Sequence, residues 1–468
     1  MTNFSGKHLN AACGGPQGGG MDSRRNEVAE ISPKYLAEVA SNAIRSGYKQ
    51  TEVGEIPEDW QVTTVGKVVS ITTGNKNTQD KVVDGLYPFF VRSQQVERIN
   101  TYSFDGEGVL TAGDGVGTGK IFHHIDGKFD FHQRVYLMYN FGDELEGYYF
   151  YIYFSNNFYD RIMSMTAKSS VDSVRREMIA DMLMVMPPKA EQTAIANALS
   201  DVDALISELE KLIAKKQAIK TATMQQLLTG RTRLPQFALR EDGTPKGTKP
   251  SELGEIPEDW DLKTVFELAG CQKSLFDDGD WIEAEHITDK GVRLIQTGNI
   301  GVGRYIEKDA KKYIFEESFE KLKCKELRKG DLLICRLAEP AGRSCILPDI
   351  GEDKVITSVD VTIFRPSSEV ANREFYNQYF SSSDWFKSVL EQVGGTTHKR
   401  ISRGALGRIS VCYPNAEEQS AIATILSDMD AEIQALEQRL GKTRHIKQGM
   451  MQELLTGKTR LIKGEAHG

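Results

Sequence analysis

Residues 191–234 read EQTAIANALSDVDALISELEKLIAKKQAIKTATMQQLLTGRTRL, and residues 418–461 read EQSAIATILSDMDAEIQALEQRLGKTRHIKQGMMQELLTGKTRL. The two stretches align without a gap and are identical at more than half of their positions, so they are copies of one segment. In each copy, apolar residues recur at alternating steps of four and three, the heptad spacing of helices that pack along one another. These apolar positions are Ile195, Leu199, Val202, Ile206, Leu209 and Ile213, then Ile422, Leu426, Met429, Ile433, Leu436 and Leu440. The repeat therefore predicts two long helices with a common register.

Both predicted helices have recognisable ends. Pro187 and Pro188 precede the first copy and Pro414 precedes the second, and a missing N–H costs little at a helix start. Gly230 and Gly457 close the LLTG of each copy and suit the left-handed residue that follows a helix. We therefore predict long helices within 189–231 and 414–457.

An apolar seam of this length needs a partner of similar length. The other copy supplies one, and antiparallel pairing would give the molecule an approximate two-fold axis with a globular module at each end. The heptads break near Lys216 and Lys220, where we expect the seam to shift. The alternative is that each helix packs only on its own module.

A second repeat precedes each helix: GEIPEDW occupies residues 54–60 and 254–260. The chain thus runs module, helix, module, helix, and the modules have diverged much more than the helices. The fold class predicted is α+β, with two globular mixed α/β modules joined by two long helices that form an antiparallel coiled-coil pair. The predicted segments are a partly flexible N-terminal extension at 1–47, module 1 at 48–188, helix 1 at 189–231, a linker at 232–253, module 2 at 254–413, helix 2 at 414–457 and a tail at 458–468.

Within the modules, β-rich runs follow Gly85 and Val292, while the aromatic-rich stretches after Gly147 and Asn372 have the spacing of helices. Aromatic residues at helical spacing are more often core than ligand-stacking, so we expect those rings to be buried.

Composition fits a globular protein: 40% of residues are hydrophobic and 26% are charged. The chain has no apolar run long enough to span a bilayer, and its first 20 residues lack the features of a secretory signal. The six cysteines include no C-x-x-C pair and are expected to be reduced thiols. We therefore expect a cytoplasmic location. The net charge of −8 weighs against a general nucleic-acid binder, so any DNA contact should use local basic patches or a partner.

The glycine, acidic and histidine clusters of the sequence match no known catalytic motif. The glycine cluster at 113–121 fails the Walker pattern because Asp114 and Ile121 stand at required positions, and a tight turn is the better interpretation. The acidic run at 348–354 resembles a charged turn more than a nuclease centre, and the asparagine-proline-proline-aromatic tetrapeptide of amino methyltransferases is absent. The histidine group His123, His124 and His132 forms no pattern that recurs in the other module. We predict no catalytic residue, metal site or cofactor in this chain.

Basic and small polar residues instead gather at matching places before each helix, a mixture that suits phosphate contacts and hydrogen bonds to base edges. Polar residues at the ends of the β-rich runs add to these. The predicted DNA-binding residues are Arg92, Gln94, Lys168, Ser169, Arg175 and Arg176 in module 1, and Gln296, Asn299, Thr397, His398, Lys399, Arg400 and Arg403 in module 2.

The combination of the duplicated GEIPEDW, the proline followed by Glu-Gln at each helix start and the LLTG at each helix end resembles the specificity subunit of type I restriction–modification systems. The resemblance covers about residues 48–461; the N-terminal extension departs from it. It implies that each module is a target-recognition domain for one half of a split double-stranded DNA target. It also implies that the helices set the spacer and dock two modification subunits, with restriction subunits joining them. S-adenosylmethionine, ATP and magnesium would then belong to those partners. One rival hypothesis is a non-catalytic scaffold with two protein-binding heads on a coiled-coil spacer, and a second is a fused enzyme with an unrecognised nuclease centre.

Overall fold

The computed structural model describes residues 44–165, 173–337, 339–394 and 399–462. The described residues divide into two compact units, the first formed by those up to 196 together with those from 453 onward and the second by those within 197–452. Both boundaries fall inside the long helices. Within the described ranges, no helix is long and apolar enough to cross a membrane.

The first module is a mixed structure of short strands and a few helices. Its strands are β1 (Tyr48–Thr51), β2 (Gly54–Pro57), β3 (Gln61–Thr64), β4 (Ser70–Thr73), β5 (Tyr87–Phe90), β6 (Glu97–Ile99), β7 (Phe104–Ala112), β8 (Phe122–Phe131), β9 (Val135–Tyr139) and β10 (Leu183–Met186). Its helices are α1 (Val65–Val68), α2 (Gly147–Ser164) and α3 (Arg176–Ala180).

A six-stranded sheet in the order β4-β9-β7-β8-β5-β6 forms the centre of this module. All neighbours are antiparallel except β5 and β8. The module is closed by β10, which returns to pair with β3 from the start of the module. The chain therefore leaves the module next to the point where it entered.

The aromatic residues of α2 are core residues, as predicted. Phe150, Phe154 and Phe158 follow one another at helical spacing, with ring centroids 5.5 Å and 4.5 Å apart, and all three are buried. Phe122 of β8 packs edge-on against Phe154 at 5.7 Å. These contacts fix α2 on the sheet.

The second module is also built from short strands and helices, and it has more strands than the first. They are β11 (Thr248–Ser251), β12 (Gly254–Pro257), β13 (Asp261–Thr264), β14 (Phe276–Asp278), β15 (Ile287–Thr288), β16 (Val292–Ile295), β17 (Lys312–Ile314), β18 (Leu332–Cys335), β19 (Ser344–Ile346), β20 (Val355–Thr357), β21 (Val361–Phe364) and β22 (Ser410–Tyr413). The helices are α5 (Pro235–Ala238), α6 (Val265–Leu268), α7 (Glu316–Leu322), α8 (Arg373–Tyr379), α9 (Ser383–Gln392) and α10 (Arg403–Gly407), while the name α4 is kept for the long helix Lys189–Leu227 that precedes them.

Two four-stranded sheets form this module, in the orders β14-β21-β18-β19 and β15-β17-β16-β20. The first is antiparallel throughout, and the second contains one parallel pair, β16 with β20. As in the first module, the last strand pairs with an early one, here β22 with β13. The α+β class predicted from the sequence is confirmed.

The segment 232–253, predicted as a linker, belongs to the second unit as an ordered part. Its strand β11 pairs with β12 over four residues. Arg240 donates two hydrogen bonds to Glu258, and Lys246 lies 2.7 Å from Asp259. The prolines and glycines that indicated a linker therefore lie in a folded segment. The basic residues of this segment pair with the acidic end of GEIPEDW.

A long helix follows each module, α4 (Lys189–Leu227) after the first and α11 (Ala416–Leu454) after the second, and each has 39 residues. At 1.5 Å per residue each is about 58 Å long. Gly230 and Gly457 follow them with φ of 69°, the left-handed conformation expected after a helix.

Within the second unit the two helices run antiparallel, as predicted. Lys220 pairs with Asp430, Lys216 with Glu432, Glu210 with Arg444 and Asp203 with Lys447, each at 2.6 Å. From Asp203 to Lys220 along α4, the partners run in the opposite direction along α11, from Lys447 to Asp430. Where the heptads break, Lys216 and Lys220 reach across to acidic partners, so ion pairs replace apolar contacts there.

The apolar seam is shared between the helix pair and the modules, which corrects the expectation that it lies wholly between the helices. Ile422 and Leu426 pack in the core of the second module together with Trp260. Further along, Leu209, Ile213 and Ile433 are buried, and the rest are half-buried: Val202, Ile206, Met429, Leu436 and Leu440. Ile195 and Leu199, in the first turns of α4, are also buried.

Each GEIPEDW contributes to a polar cluster at a helix start, in which the tryptophan and the glutamate are buried. Helix-start cluster 1 consists of Asp59, Trp60, Glu191 and Arg460. The Trp60 indole N–H donates to Glu191 at 3.0 Å, and Arg460 donates to both oxygens of Glu191 at 2.7 and 2.6 Å. Arg460 also donates to both oxygens of Asp59 at 2.9 and 2.7 Å. The hydrogen bonds from Arg460 to Glu191 raise the pKa of Arg460 by more than burial lowers it.

Helix-start cluster 2 has the same construction from Asp259, Trp260, Glu418 and Arg233. Trp260 donates to Glu418 at 2.8 Å, Arg233 donates to the same carboxylate at 2.7 and 2.8 Å, and it reaches Asp259 at 2.8 and 3.1 Å. Glu418 is fully buried. The arginine in each cluster follows one long helix, and the glutamate begins the other.

The glycines after the helices pack on the same clusters. A Cβ atom on Gly230 would lie 2.4 Å from the Pro257 ring, and one on Gly457 would lie 2.5 Å from the Pro57 ring. Glycine is therefore required at both places by its positive φ and by close packing. This explains why LLTG and GEIPEDW are repeated together.

Candidate nucleic-acid interface

In both modules, a loop from the sheet lies against the basic segment that precedes the final strand. In module 1 this is the loop after β7, where Asp114 forms a β-bridge with Ser173 and the Val174 N–H donates to the Gly113 carbonyl at 2.7 Å. In module 2 it is the loop after β18. There Leu337 bridges Arg400, and the Ile401 N–H donates to a loop carbonyl at 3.0 Å. The duplicated chain thus builds the same juxtaposition once in each module.

The module 1 loop is a tight turn, as predicted, and its glycines serve the backbone conformation. Gly115 and Gly119 have φ of 89° and 71°. Thr118 donates through its hydroxyl to the Gly115 carbonyl at 2.6 Å. Val116, between two glycines, is fully exposed at the tip. The loop therefore presents backbone and one small apolar side chain to the surroundings.

Beside this loop, one carboxylate holds two arginines. Asp114 Oδ1 accepts from Arg92 at 2.8 Å, and Asp114 Oδ2 accepts from Arg134 at 2.8 Å. Burial raises the pKa of Asp114, but the hydrogen bonds and charges of the arginines lower it overall. The arginine side chains are 42% and 61% exposed, whereas that of Asp114 is 17% exposed.

Of the other module 1 residues predicted to bind DNA, Arg175 and Arg176 are exposed at the start of α3, next to the bridge at Ser173. Gln94 is exposed in the turn after β5, close in sequence to Arg92. Lys168 and Ser169 lie outside the described residues.

In module 2, the predicted arginines lie together but are held by carboxylates. Arg403 pairs with Asp277, and Arg400 pairs with Asp360 at 2.9 Å. Because these acids compensate much of the basic charge, the surface is less basic than the sequence indicated. Thr397 and His398 lie outside the described residues.

Lys399 is exposed and borders a mostly apolar cleft of about 390 Å³. The other residues that line this cleft are Glu339, Pro340, Ala341, Phe386, Val389, Leu390 and Val393.

The two polar residues after β16 differ in accessibility. Gln296 is half-buried. Asn299 is only 3% exposed, and its amide accepts from the Gln296 N–H at 3.0 Å and donates to the Ile306 carbonyl at 2.9 Å. Its side chain is thus occupied in holding the turn, which does not suit a base contact.

The module 1 histidines have partners within the module. His123 Nε2 lies 3.2 Å from the Ser93 carbonyl, His124 Nε2 lies 2.8 Å from Glu107, and His132 Nδ1 accepts from the Arg134 N–H at 3.0 Å. Burial lowers the pKa of His123, and burial together with the nearby arginines lowers that of His132. Among the described residues, no group of histidine, cysteine and acidic side chains is arranged to hold a metal ion.

The DNA-binding residues predicted from the sequence include Arg92 but neither Asp114, which accepts a hydrogen bond from it, nor Arg134, which donates to the same carboxylate. The three members of this group come from separate segments, after β5, after β7 and between β8 and β9, and no local pattern joins them. The one sign of this group in the sequence was Asp114, which interrupts the Walker pattern in the glycine cluster at 113–121.

Comparison with known proteins agrees with these features. The family model described as the type I restriction modification DNA specificity domain matches residues 57–221 and 257–443. The type I restriction enzyme MjaVIII specificity subunit of Methanocaldococcus jannaschii is 26% identical over 436 residues, covering 88% of this chain and 96% of that protein. The EcoDI specificity subunit of Escherichia coli is 27% identical over 249 residues, covering 50% and 54% respectively. The solved S subunit of the type I system from M. genitalium shares the fold, with a TM-score of 0.57 at 15% identity over 84% of this chain and 96% of that one.

Proposed function

The chain belongs to the type I restriction–modification DNA specificity family, and from this premise we propose that it reads a bipartite DNA target, one half with each module, and directs adenine methylation and restriction by partner subunits. As a member of that family it is a DNA-recognition subunit and not itself an enzyme. The observation that carries the proposal is the loop and basic segment brought together once in each module of a duplicated chain.

The proposed DNA surface of module 1 comprises Arg92 and Gln94 with the segment that includes Lys168, Ser169, Arg175 and Arg176. In module 2 it comprises Gln296 and the segment that includes Thr397, His398, Lys399, Arg400 and Arg403. The exposed arginines of module 1 are suited to phosphate or base contacts. The acid-paired arginines of module 2 give that module a weaker electrostatic contribution, so its affinity depends more on assembly with partners.

Two modification subunits are the proposed partners of the helix pair, with restriction subunits joining the complex. Leu205, Leu212 and Ile219 support this docking surface, because they recur every seven residues along α4 and are 38–42% exposed. A row of exposed leucine and isoleucine on one helix face is typical of a surface that a partner covers. S-adenosylmethionine, ATP and magnesium would be bound by the partners, and a complex that modifies host DNA would act in the cytoplasm.

We further propose that the paired helices set the spacer between the two half-sites. The ion pairs between α4 and α11 lie on both sides of Lys215, so a change in one helix alone would disturb their register. Matched insertions of four residues, after Lys215 and near position 435 in α11, add about 6 Å to the pair. They should lengthen the tolerated spacer by about one or two base pairs.

The modular reading is tested by replacing residues 48–188 with the corresponding module of a relative and sequencing the methylated sites in a host that carries the partner subunits. One half of the methylated motif should change and the other should stay. If both halves changed together, the modules would not read independently. If the assembled complex showed no sequence preference, the scaffold hypothesis would be favoured.

A further inference from the structure

Arg92, Asp114 and Arg134 form a charged group on the module 1 surface that differs from an ordinary surface ion pair. Arg92 donates to one oxygen of the Asp114 carboxylate and Arg134 donates to the other, each at 2.8 Å. The carboxylate is mostly covered, while both arginines remain substantially exposed. The group therefore presents guanidinium donors to the outside with an acceptor between them.

The backbone around the group is fixed. The Gly113 N–H donates to the Arg134 carbonyl at 2.8 Å, and the Arg134 N–H donates to His132 Nδ1 at 3.0 Å. The Gly113 carbonyl in turn accepts from Val174, which joins the group to the basic segment at Arg175. Since these bonds hold the attachment points of Asp114 and Arg134, less conformational freedom is lost when a ligand binds.

The carboxylate decides which part of DNA the group suits. A phosphate carries negative charge, and an aspartate 2.8 Å from both arginines would repel it. The major-groove edge of a G·C pair is neutral and has the complementary pattern. Guanine O6 and N7 accept from arginine, and the cytosine N4 amino group donates to a carboxylate.

Access to the group is open. A Cβ atom on Gly115, the next residue in the chain, would have no neighbour within 4 Å, and Val116 beyond it is fully exposed. Arg175 and Arg176 lie on the adjoining segment, where they are placed for phosphate contacts beside a base contact.

Module 2 has no equivalent group in the described part of its loop. Arg343 donates to the backbone carbonyls of Ile300, Leu337, Pro340 and Thr297. Arg336 is 3% exposed and donates to the carbonyls of Ile401 and Val359. Arg336 also pairs with Asp278 at 3.1 Å, and its side chain is 3% exposed. Both arginines of that loop are therefore bound inside the module, whereas Arg92 and Arg134 are substantially exposed.

We propose that Arg92, Asp114 and Arg134 read a G·C pair in the half-site recognised by module 1. This deepens, and rests on, the proposed DNA-reading function. The arginines contact guanine, and Asp114 both orients them and accepts from the paired cytosine. The first half-site should accordingly contain at least one required G·C pair.

The test uses the complete chain assembled with its modification subunits and a set of DNA duplexes in which each base pair of both half-sites is varied. Arg92→Lys and Arg134→Lys keep the charge but lose the planar fork that pairs with guanine. Each should reduce the preference for one G·C pair by about 5- to 150-fold, with other positions and the salt dependence unchanged. Asp114→Asn should weaken discrimination at the same base pair. Lys81→Ala, which removes an exposed ion pair with Glu97 elsewhere in the module, is the control and should leave every preference unchanged.

Two results would overturn the inference. A loss of affinity that is equal for all sequences, with a smaller salt slope, would identify a phosphate contact. Unchanged preferences in all three variants, with unchanged melting temperatures, would identify an ion network with no DNA contact. If the wild-type complex itself showed no sequence preference, the proposed function would fail, which separates that outcome from failure of the G·C assignment.

Discussion

Removal of Arg233 tests whether helix-start cluster 2 stabilises the second unit. The arginine makes two hydrogen bonds to Glu418 and two to Asp259. The Glu418 side chain is 1% exposed, and in Arg233→Ala it would keep the Trp260 N–H as its remaining partner within the cluster. An ionised carboxylate would then be buried without a compensating charge.

The size of the effect follows from burial. Loss of one partner of a buried ion pair costs about 3–5 kcal/mol. The Asp259 pair is 28% exposed on the aspartate side and adds at most about 1 kcal/mol. For a unit of this size, each kcal/mol corresponds to roughly 2–4 °C, so a total of about 3–6 kcal/mol should lower the melting temperature of the second unit by about 6–24 °C.

The assay is differential scanning calorimetry, because two units need not unfold in one transition. Arg240→Ala is the matched control: it removes an arginine that also bonds to the acidic end of GEIPEDW, but with side chains 45% and 34% exposed. Its cost should be below about 1 kcal/mol. The double variant Arg233→Ala with Glu418→Gln should recover part of the loss, since a neutral amide replaces the buried charge.

The pH dependence gives a second readout. Burial raises the pKa of Asp259, but the hydrogen bonds and charges of Arg233 and Lys246 outweigh it and lower the pKa to about 2. A pKa below the ordinary 3.8 stabilises the folded state above about pH 4, and this stabilisation is lost as the pH falls towards 2. The difference in melting temperature between wild type and Arg233→Ala should become smaller as the pH falls from about 4 towards 2. If Arg233→Ala melts no lower than Arg240→Ala, the cluster is not a main source of stability and this reasoning is wrong.

Three further predictions concern the other unit, the helices and the chemistry. Arg460→Ala should lower the melting temperature of the first unit by a similar amount, because Arg460 bonds to the buried Glu191 in the same way; an unchanged transition would show that the two clusters differ in energy. Leu209→Asp buries a charge in the helix pair at a cost of several kcal/mol, so assembly with modification subunits should fail in size-exclusion chromatography, while Lys211→Ala at an exposed position should assemble normally. The chain freed of partner subunits should show no methylation, DNA cleavage or nucleotide hydrolysis, and turnover that persists through repeated purification would contradict that.

The long helices could be predicted because their information is local and present twice. Heptad spacing and the glycine after LLTG are properties of neighbouring residues, and both predicted helices appear in the structure. The aromatic helix α2 was predictable for the same reason. The common heptad register of the two helices is also visible in the gapless alignment of the two repeats.

The parts that could not be predicted depend on contacts between distant segments. Arg400 and Arg403 looked free in the sequence, but Asp360 and Asp277, more than 35 residues away, neutralise them. Within 232–253, Arg233 pairs with Glu418, which lies 185 residues away in the sequence. Composition describes how a segment behaves alone, and it does not show which segments meet in the fold.

The two helix-start clusters also have a genetic consequence. Each requires a tryptophan, two acids, an arginine and a tightly packed glycine, and the repeats supply all of these in identical form on both sides of each module. A crossover between the repeated stretches of two related genes would therefore join segments whose clusters still close. A module could be exchanged in one recombination event, without any compensating mutation at the junction.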